Sequence, residues 1–313
     1  MLKPIIPHRF DKHNGPLYNH SDPWETVGVA HEPGPSKRVQ GTCDMPRYDR
    51  LSILVSLVLF GLVVSHLVEL PTRTISFVAL GVPTTIYLSS RWLVAGLLVT
   101  LTGAGVDSIV RSHPQARRSG WGYGLTFWGL PCSFVLLSSV VLPLSPSMPF
   151  WLSALAVTGL VLSLLVVGQS ATIRDRERYA GVARWGLSLS VYAAMFVFCT
   201  LIYGARARSL LSATAISVLA ISLALELLRP QSPALSTGRP WIYALVVGLI
   251  LGEVAWALNH LSFSAVGGGI FLLLIFYVVC GLAKQHLTAQ LSRPVIAEFV
   301  AVSIVGLGFL YLM

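Results

Sequence analysis

From Leu51 onward the chain is a succession of apolar runs, each close to the ~20 residues that span a hydrocarbon core, separated by joints too short to hold a soluble domain. The clearest pair lies between Trp241 and Lys284, where WIYALVVGLILGEVAWAL and FSAVGGGIFLLLIFYVVCGLA flank a joint containing Asn259 and His260. This is the pattern of a membrane hairpin. Ten runs can be marked, at 51–70, 74–90, 92–110, 125–143, 150–169, 186–204, 209–228, 241–259, 262–283 and 294–313. Runs two and three are separated only by Ser89, Ser90 and Arg91, so a broken or re-entrant helix is the alternative there. The expected fold is an all-α integral membrane protein, a polytopic bundle of about ten transmembrane helices, with an extended N-terminal tail.

Composition agrees. Hydrophobic residues make up 54% of the 313 positions and charged residues 11%, well below the roughly 25% charge of a soluble domain. The net charge of +9 resembles a nucleic-acid signal only until its placement is read. Beyond the first fifty residues, the basic side chains cluster between apolar runs, which is a mark of membrane topology and excludes nucleic acid as the expected partner. Lysine is confined to Lys3, Lys12, Lys37 and Lys284, and the preference for arginine suggests a GC-rich, bacterial source.

Residues 1–47 form a segment of a different kind, with seven prolines, four histidines and no apolar periodicity. They read as an extended tail without a signal-peptide h-region, and residues 48–313 as the transmembrane domain. The tail cannot build a core alone. It is long enough to lie across other membrane-protein subunits, with Phe10, Tyr18 and Trp24 as its aromatic anchors.

Joints near 89–91, 144–149, 205–208 and 259–261 are short, whereas those at 111–124, 170–185, 229–240 and 284–293 are longer and basic. The basic side collects Arg73, Arg111, Arg117, Arg118, Arg174, Arg176, Arg178, Arg184, Arg229, Arg239, Lys284 and Arg293, against Arg91, Arg206 and Arg208 on the other. The positive-inside rule assigns the first set to the cytoplasm. With ten spans, a multi-pass protein of a bacterial inner membrane would then carry both termini on the non-cytoplasmic side.

Charge inside or beside the spans marks the candidate sites. Glu69 precedes Arg73, Asp107 precedes Arg111, Glu226 precedes Arg229, and Arg293 precedes Glu298. Spacings of three and four place the partners of the first three pairs on one helical face, and the simplest account of all four is an ion pair at each helix end. The functional account is a cytoplasmic-end polar cluster of Asp107, Arg111, His113, Glu226 and Arg229 lining a vestibule or meeting lipid headgroups.

Glu253 differs, having no basic residue within two turns. A carboxylate at such depth costs roughly 2.5 kcal/mol or more unless it meets protein, water or a partner. Gly248 and Gly252 beside it form a GxxxG spacing, and the triplet Gly267, Gly268 and Gly269 in the following run would suit a close approach. The plain reading of Glu253 is a hydrogen-bonded packing residue; the functional one is a proton, ion or substrate group.

Other chemistry has little support. His66 near the end of the first run offers one ligand for a pigment or haem, not a facing pair, and no cofactor is otherwise expected. Cys43, Cys132, Cys199 and Cys280 are isolated and read as small packing residues. No Walker A loop, GxGxxG, HExxH or GxSxG is present. The leading expectation is a non-catalytic subunit or scaffold of a larger membrane complex. The alternatives are a small-molecule or proton-coupled transporter using Glu253, and an intramembrane lipid-modifying enzyme using Asp107, Arg111 and His113.

Overall fold

The computed structural model of the protein describes residues 45–67, 73–79, 82–88, 90–111, 124–173, 180–205, 209–229, 238–260, 263–288 and 293–312. The tail through residue 44, with Phe10, Tyr18 and Trp24, lies outside the described residues, as do Glu69 and His113. All described elements belong to the unit Asp44–Met313.

Among the described residues are nine helices: α1 Met45–Leu67, α2 Ser90–Arg111, α3 Gly129–Val141, α4 Met148–Ile173, α5 Ala180–Gly204, α6 Ser209–Leu227, α7 Gly238–Leu258, α8 Ala265–Leu287 and α9 Arg293–Leu312. Seven of them, α1, α2 and α4 to α8, are long and apolar enough to cross a membrane. The protein is therefore a multi-pass helical membrane protein. α3 is shorter, 13 residues prolonged by a 3-10 turn over Leu142–Leu144, and the apolar part of α9 covers Ala297–Gly306.

The apolar run at 74–90, expected as the second of ten spans, is not a helix. It forms strands β1 (Arg73–Ala79) and β2 (Val82–Leu88), an antiparallel pair with Arg73 opposite Leu88 and Ala79 opposite Val82. The physical reason is in its residue types. RTISFVA and VPTTIYL are dominated by β-branched and aromatic residues, which favour a pleated strand, and Pro83 would break the interior of a helix. In a two-stranded ribbon both strands are edges, where proline is tolerated.

This substitution changes the parity of the chain. α1 and α2 become antiparallel neighbours: Gly105 packs on Leu54, Gly61 packs on Leu98, and Arg50 near the start of α1 reaches Ser108 near the end of α2 at 3.4 Å. The Met45 end of α1 thus lies at the same end of the bundle as Arg111. The run at 74–90 therefore does not count as a helical crossing, and the ten helical spans behind the expectation of both termini on one side are not found among the described residues.

Later helices keep alternating, and their ends are tied to each other. At the Arg111 end, Gln169 of α4 meets Phe127 and Glu226, and Tyr243 of α7 meets His286 of α8 at 2.6 Å. At the opposite end, Asn259 donates to Ser212 of α6 at 2.7 Å, Tyr203 of α5 donates to the Leu258 carbonyl at 3.2 Å, and His66 of α1 stacks on Trp151 of α4 at 4.6 Å.

Two buried cores result. One is built mainly by α1 to α4, around Val58, Leu98, Phe127 and Leu162. The other is built mainly by α5 to α8, around Met195, Leu223, Leu251 and Phe276. In lipid there is little hydrophobic drive between helices, so close packing and internal hydrogen bonds must hold them together. Gly129 joins α3 to α6: a Cβ there would overlap the backbone carbonyl of Ser222, so only glycine lets the two helices lie this close.

Candidate functional site

Two places in the bundle carry ionisable groups that an inert lipid-facing scaffold would not need. The first is at the Arg111 end. Glu226, in the last turn of α6, is buried at 7% exposure. Its Oε1 lies 3.0 Å from Nη1 of Arg229, a Coulombic contact without the alignment of a hydrogen bond, since neither atom has a hydrogen-bond partner among the described residues. The other carboxylate oxygen is better held: Nε2 of Gln169 donates to it at 3.0 Å and to the Phe127 carbonyl at 3.2 Å. Arg229 donates through Nη2 to Oγ1 of Thr172 at 2.9 Å, and its guanidinium lies 4.1 Å above the Phe127 ring, within cation–π range.

This constellation joins α4, α6 and the turn before α3. Coulombic attraction is stronger away from water, and so is the cost of desolvating each partner. The arrangement offsets that cost with four different contacts around Arg229 and Glu226. Gln169 is itself 2% exposed, and its Oε1 has no hydrogen-bond partner among the described residues.

Asp107 and Arg111 form the second ion pair of this end, on α2, with Arg111 Nε 2.6 Å from Asp107 Oδ2 and the arginine side chain 43% exposed. Gly124 lies against Asp107, and a Cβ there would overlap its carboxylate. The structure thus shows two of the four expected pairs; Glu69 and the side chains of Arg73 and Arg293 lie outside the described residues. Gln169, Thr172 and Phe127 were not anticipated. The polar stretch at the end of an apolar run, Gln169, Ser170 and Thr172 in VVGQSAT, was the available signal.

The second place is Glu253. It lies on α7, fifteen residues after Gly238 and five before Leu258, or roughly 8 Å inside the latter end at 1.5 Å per residue. It is exposed, pointing away from the bundle. Gly248 and Gly252 are buried on another face of α7, against Ser217 and Ile221 of α6. Gly267, Gly268 and Gly269 are buried too, but Gly268 packs on Tyr203 and Gly269 on Thr200, both of α5. Ser264 caps α8 by accepting from the Gly267 amide at 3.1 Å. Neither glycine motif therefore seats Glu253, and no hydrogen bond or ion pair joins it to another described residue.

His66, the one intramembrane histidine considered as a ligand, is exposed and stacked on Trp151. Among the described residues no three His, Cys, Asp or Glu side chains come together as metal ligands. Cys199 and Cys280 are buried free thiols, and Cys132 donates to the Val99 carbonyl at 3.4 Å.

No curated protein matches the chain. No solved structure matches it either. A family model described as "Protein of unknown function (DUF5656)" matches residues 70–313, from just before the hairpin through α9, and so includes the Glu226 cluster and Glu253. On that match the chain belongs to the DUF5656 family.

Proposed function

We propose that the protein is a non-catalytic integral membrane subunit or scaffold of a larger bacterial membrane complex. The observation that carries this reading is the outward placement of Glu253: an acid within a span, exposed and without a partner among the described residues. Turned into lipid it is costly; turned into a neighbouring subunit it is a contact. Transport through Glu253 would need the carboxylate to look into the bundle, and the buried face of α7 is instead apolar, with Val247, Gly248, Leu251 and Gly252. The acids at the other end are engaged in ion pairs, which suits a structural role better than catalysis.

The topology we propose has nine crossings with the Arg111 end in the cytoplasm. In sequence, the joints from α2 to α3, α4 to α5, α6 to α7 and α8 to α9, with their flanking turns, hold Arg111, Arg117, Arg118, Arg174, Arg176, Arg178, Arg184, Arg229, Arg239, Lys284 and Arg293, against Arg73, Arg91, Arg206 and Arg208 in those from α1 to α2 and α5 to α6. The bias accords with the positive-inside rule. On this topology the Met45 end of α1 faces the cytoplasm, and the prolines and aromatic residues of residues 1–47 suit a second contact with partners.

The test is native mass spectrometry of the full chain extracted in mild detergent, alongside Glu253→Leu. Stoichiometric membrane-protein partners on the wild type that are reduced in the variant are the expected result. A partner-free species from the native membrane would overturn the subunit reading.

A further inference from the structure

Glu253 sits within an ordered stripe. Along the outer face of α7 and the turn after it, Ile242, Val246, Leu249, Glu253, Trp256 and His260 follow one another at alternating spacings of four and three. The four apolar or aromatic members are 45–65% exposed, and Glu253 and His260 are exposed too. Alternating four and three is the heptad seam by which one helix packs along another. The inward face of α7 is different: Gly248 and Gly252 lie against Ser217 and Ile221 of α6, and Ala244, Val247, Leu251 and Ala255 are buried with them. α7 therefore has one face built for close packing on α6 and another built as an unfilled seam.

Resting on the subunit reading above, we propose that this seam binds a transmembrane helix of another protein that carries a lysine or arginine level with Glu253. Charge complementarity selects this occupant. The seam holds one carboxylate amid apolar neighbours, and a cation opposite it removes the cost of an unpaired charge in a poorly solvated layer. A second copy of the chain fits less well. In a parallel pair related by a two-fold axis each seam residue meets itself, which would set Glu253 on Glu253 and, seven positions from Val246 on the same seam, Arg239 on Arg239. His260 does not supply the missing cation from within the chain, because its ring packs against Trp256 at 5.5 Å and its Nδ1 contacts the Trp256 carbonyl at 3.1 Å. A single polar residue in an otherwise apolar seam also fixes register, so the acid selects both the partner and its depth.

The experiment uses the full chain, donor-labelled and reconstituted in phosphatidylcholine vesicles, with acceptor-labelled synthetic peptides of ~20 Leu and Val residues. One peptide has a single lysine at the depth of Glu253, a second has leucine there, and a third has glutamate. The lysine peptide should bind the wild type about tenfold more tightly than the leucine peptide, the scale of one intramembrane polar contact. Glu253→Leu should abolish that difference, and Glu253→Lys should transfer the preference to the glutamate peptide. Circular dichroism of the reconstituted variants checks that helix content is unchanged.

Equal binding of lysine and leucine peptides by the wild type would overturn the proposal. So would energy transfer between differently labelled wild-type chains that is lost in Glu253→Leu, which would make the occupant a second copy. If the peptides fail to discriminate while native complexes still show stoichiometric partners, the basic-helix proposal falls and the subunit reading stands. A partner-free native species would instead remove the reading beneath it.

Discussion

Glu226 and Glu253 lie on consecutive helices and have opposite fates. Glu226 is buried beside Arg229, Gln169 and Phe127; Glu253 is exposed on the outer face of α7. Both are carboxylates that lipid alone would penalise. One is accommodated by the chain's own side chains, at the junction of α4, α6 and the turn before α3, and removing any one of those groups strands the others. The other is left to the surroundings, so its removal should cost the fold nothing. An acid that the fold has satisfied speaks to architecture, while one that the fold has left outside speaks to what lies beside the protein.

The largest effect expected is that of Glu226→Ala. It leaves the Arg229 guanidinium, 11% exposed in its side chain, next to an apolar gap with only Thr172 and the Phe127 ring. Removing one member of a buried pair typically costs about 3–5 kcal/mol, read as a fall in equilibrium unfolding free energy in detergent micelles. The double variant Glu226→Leu/Arg229→Leu should recover much of that loss, since a neutral, well-packed replacement strands no charge. If the double variant were as unstable as the single one, shape rather than charge would govern this end.

Gly129→Ala comes next. Its methyl group would overlap the Ser222 carbonyl, which does not yield as a flexible side chain would, so α3 must move away from α6. Overpacking of this kind costs about 1–3 kcal/mol, measured by the same unfolding titration. Gln169→Leu should follow at about 1–2 kcal/mol, because it removes the donor to both the Glu226 carboxylate and the Phe127 carbonyl while filling similar space. Asp107→Asn should cost under ~1 kcal/mol, since that pair is half in solvent on its arginine side.

Which of these features could be read from the chain follows from the physics of each. Apolar runs announce spans because transfer into hydrocarbon depends on composition and length, and nine of the ten runs are helices among the described residues. The exception at 73–88 is apolar enough to be marked as a run, but its β-branched residues and Pro83 decide the local conformation, which hydropathy does not register. Asp107 with Arg111 and Glu226 with Arg229 were legible because helical spacing is local. Gln169 was not legible as their partner, because its bond to Glu226 joins residues 57 apart in sequence.

The direction of Glu253 was obscured for a different reason. In a membrane both the inside and the outside of a bundle are apolar, so a helical wheel lacks the polar face that marks the exterior of a soluble helix. Gly248 and Gly252 suggested a close approach beside Glu253, but successive residues are about 100° apart around the helix, and the carboxylate falls off the face the glycines create. Side-chain size marks the two faces only in part: Gly248 and Gly252 turn inward against α6, but Val247, Leu251 and Leu258 are buried too, while Leu249 and Trp256 turn out with Glu253.

The smallest effect expected on the isolated chain is therefore the most informative. Glu253→Leu replaces an exposed carboxylate with a side chain that lipid or detergent tails solvate well, and no contact with another described residue is lost. Its unfolding free energy should match the wild type within about 0.5 kcal/mol. Glu226→Ala fails in every setting because its partners lie within the chain; Glu253→Leu should fail only where a partner is present, as loss of complex from native membranes without loss of fold. If Glu253→Leu instead lowered the stability of the purified chain by as much as Gln169→Leu does, the two acids would not differ in kind. Glu253 would then be a group satisfied from within, and the outer seam of α7 would have no claim on a neighbour.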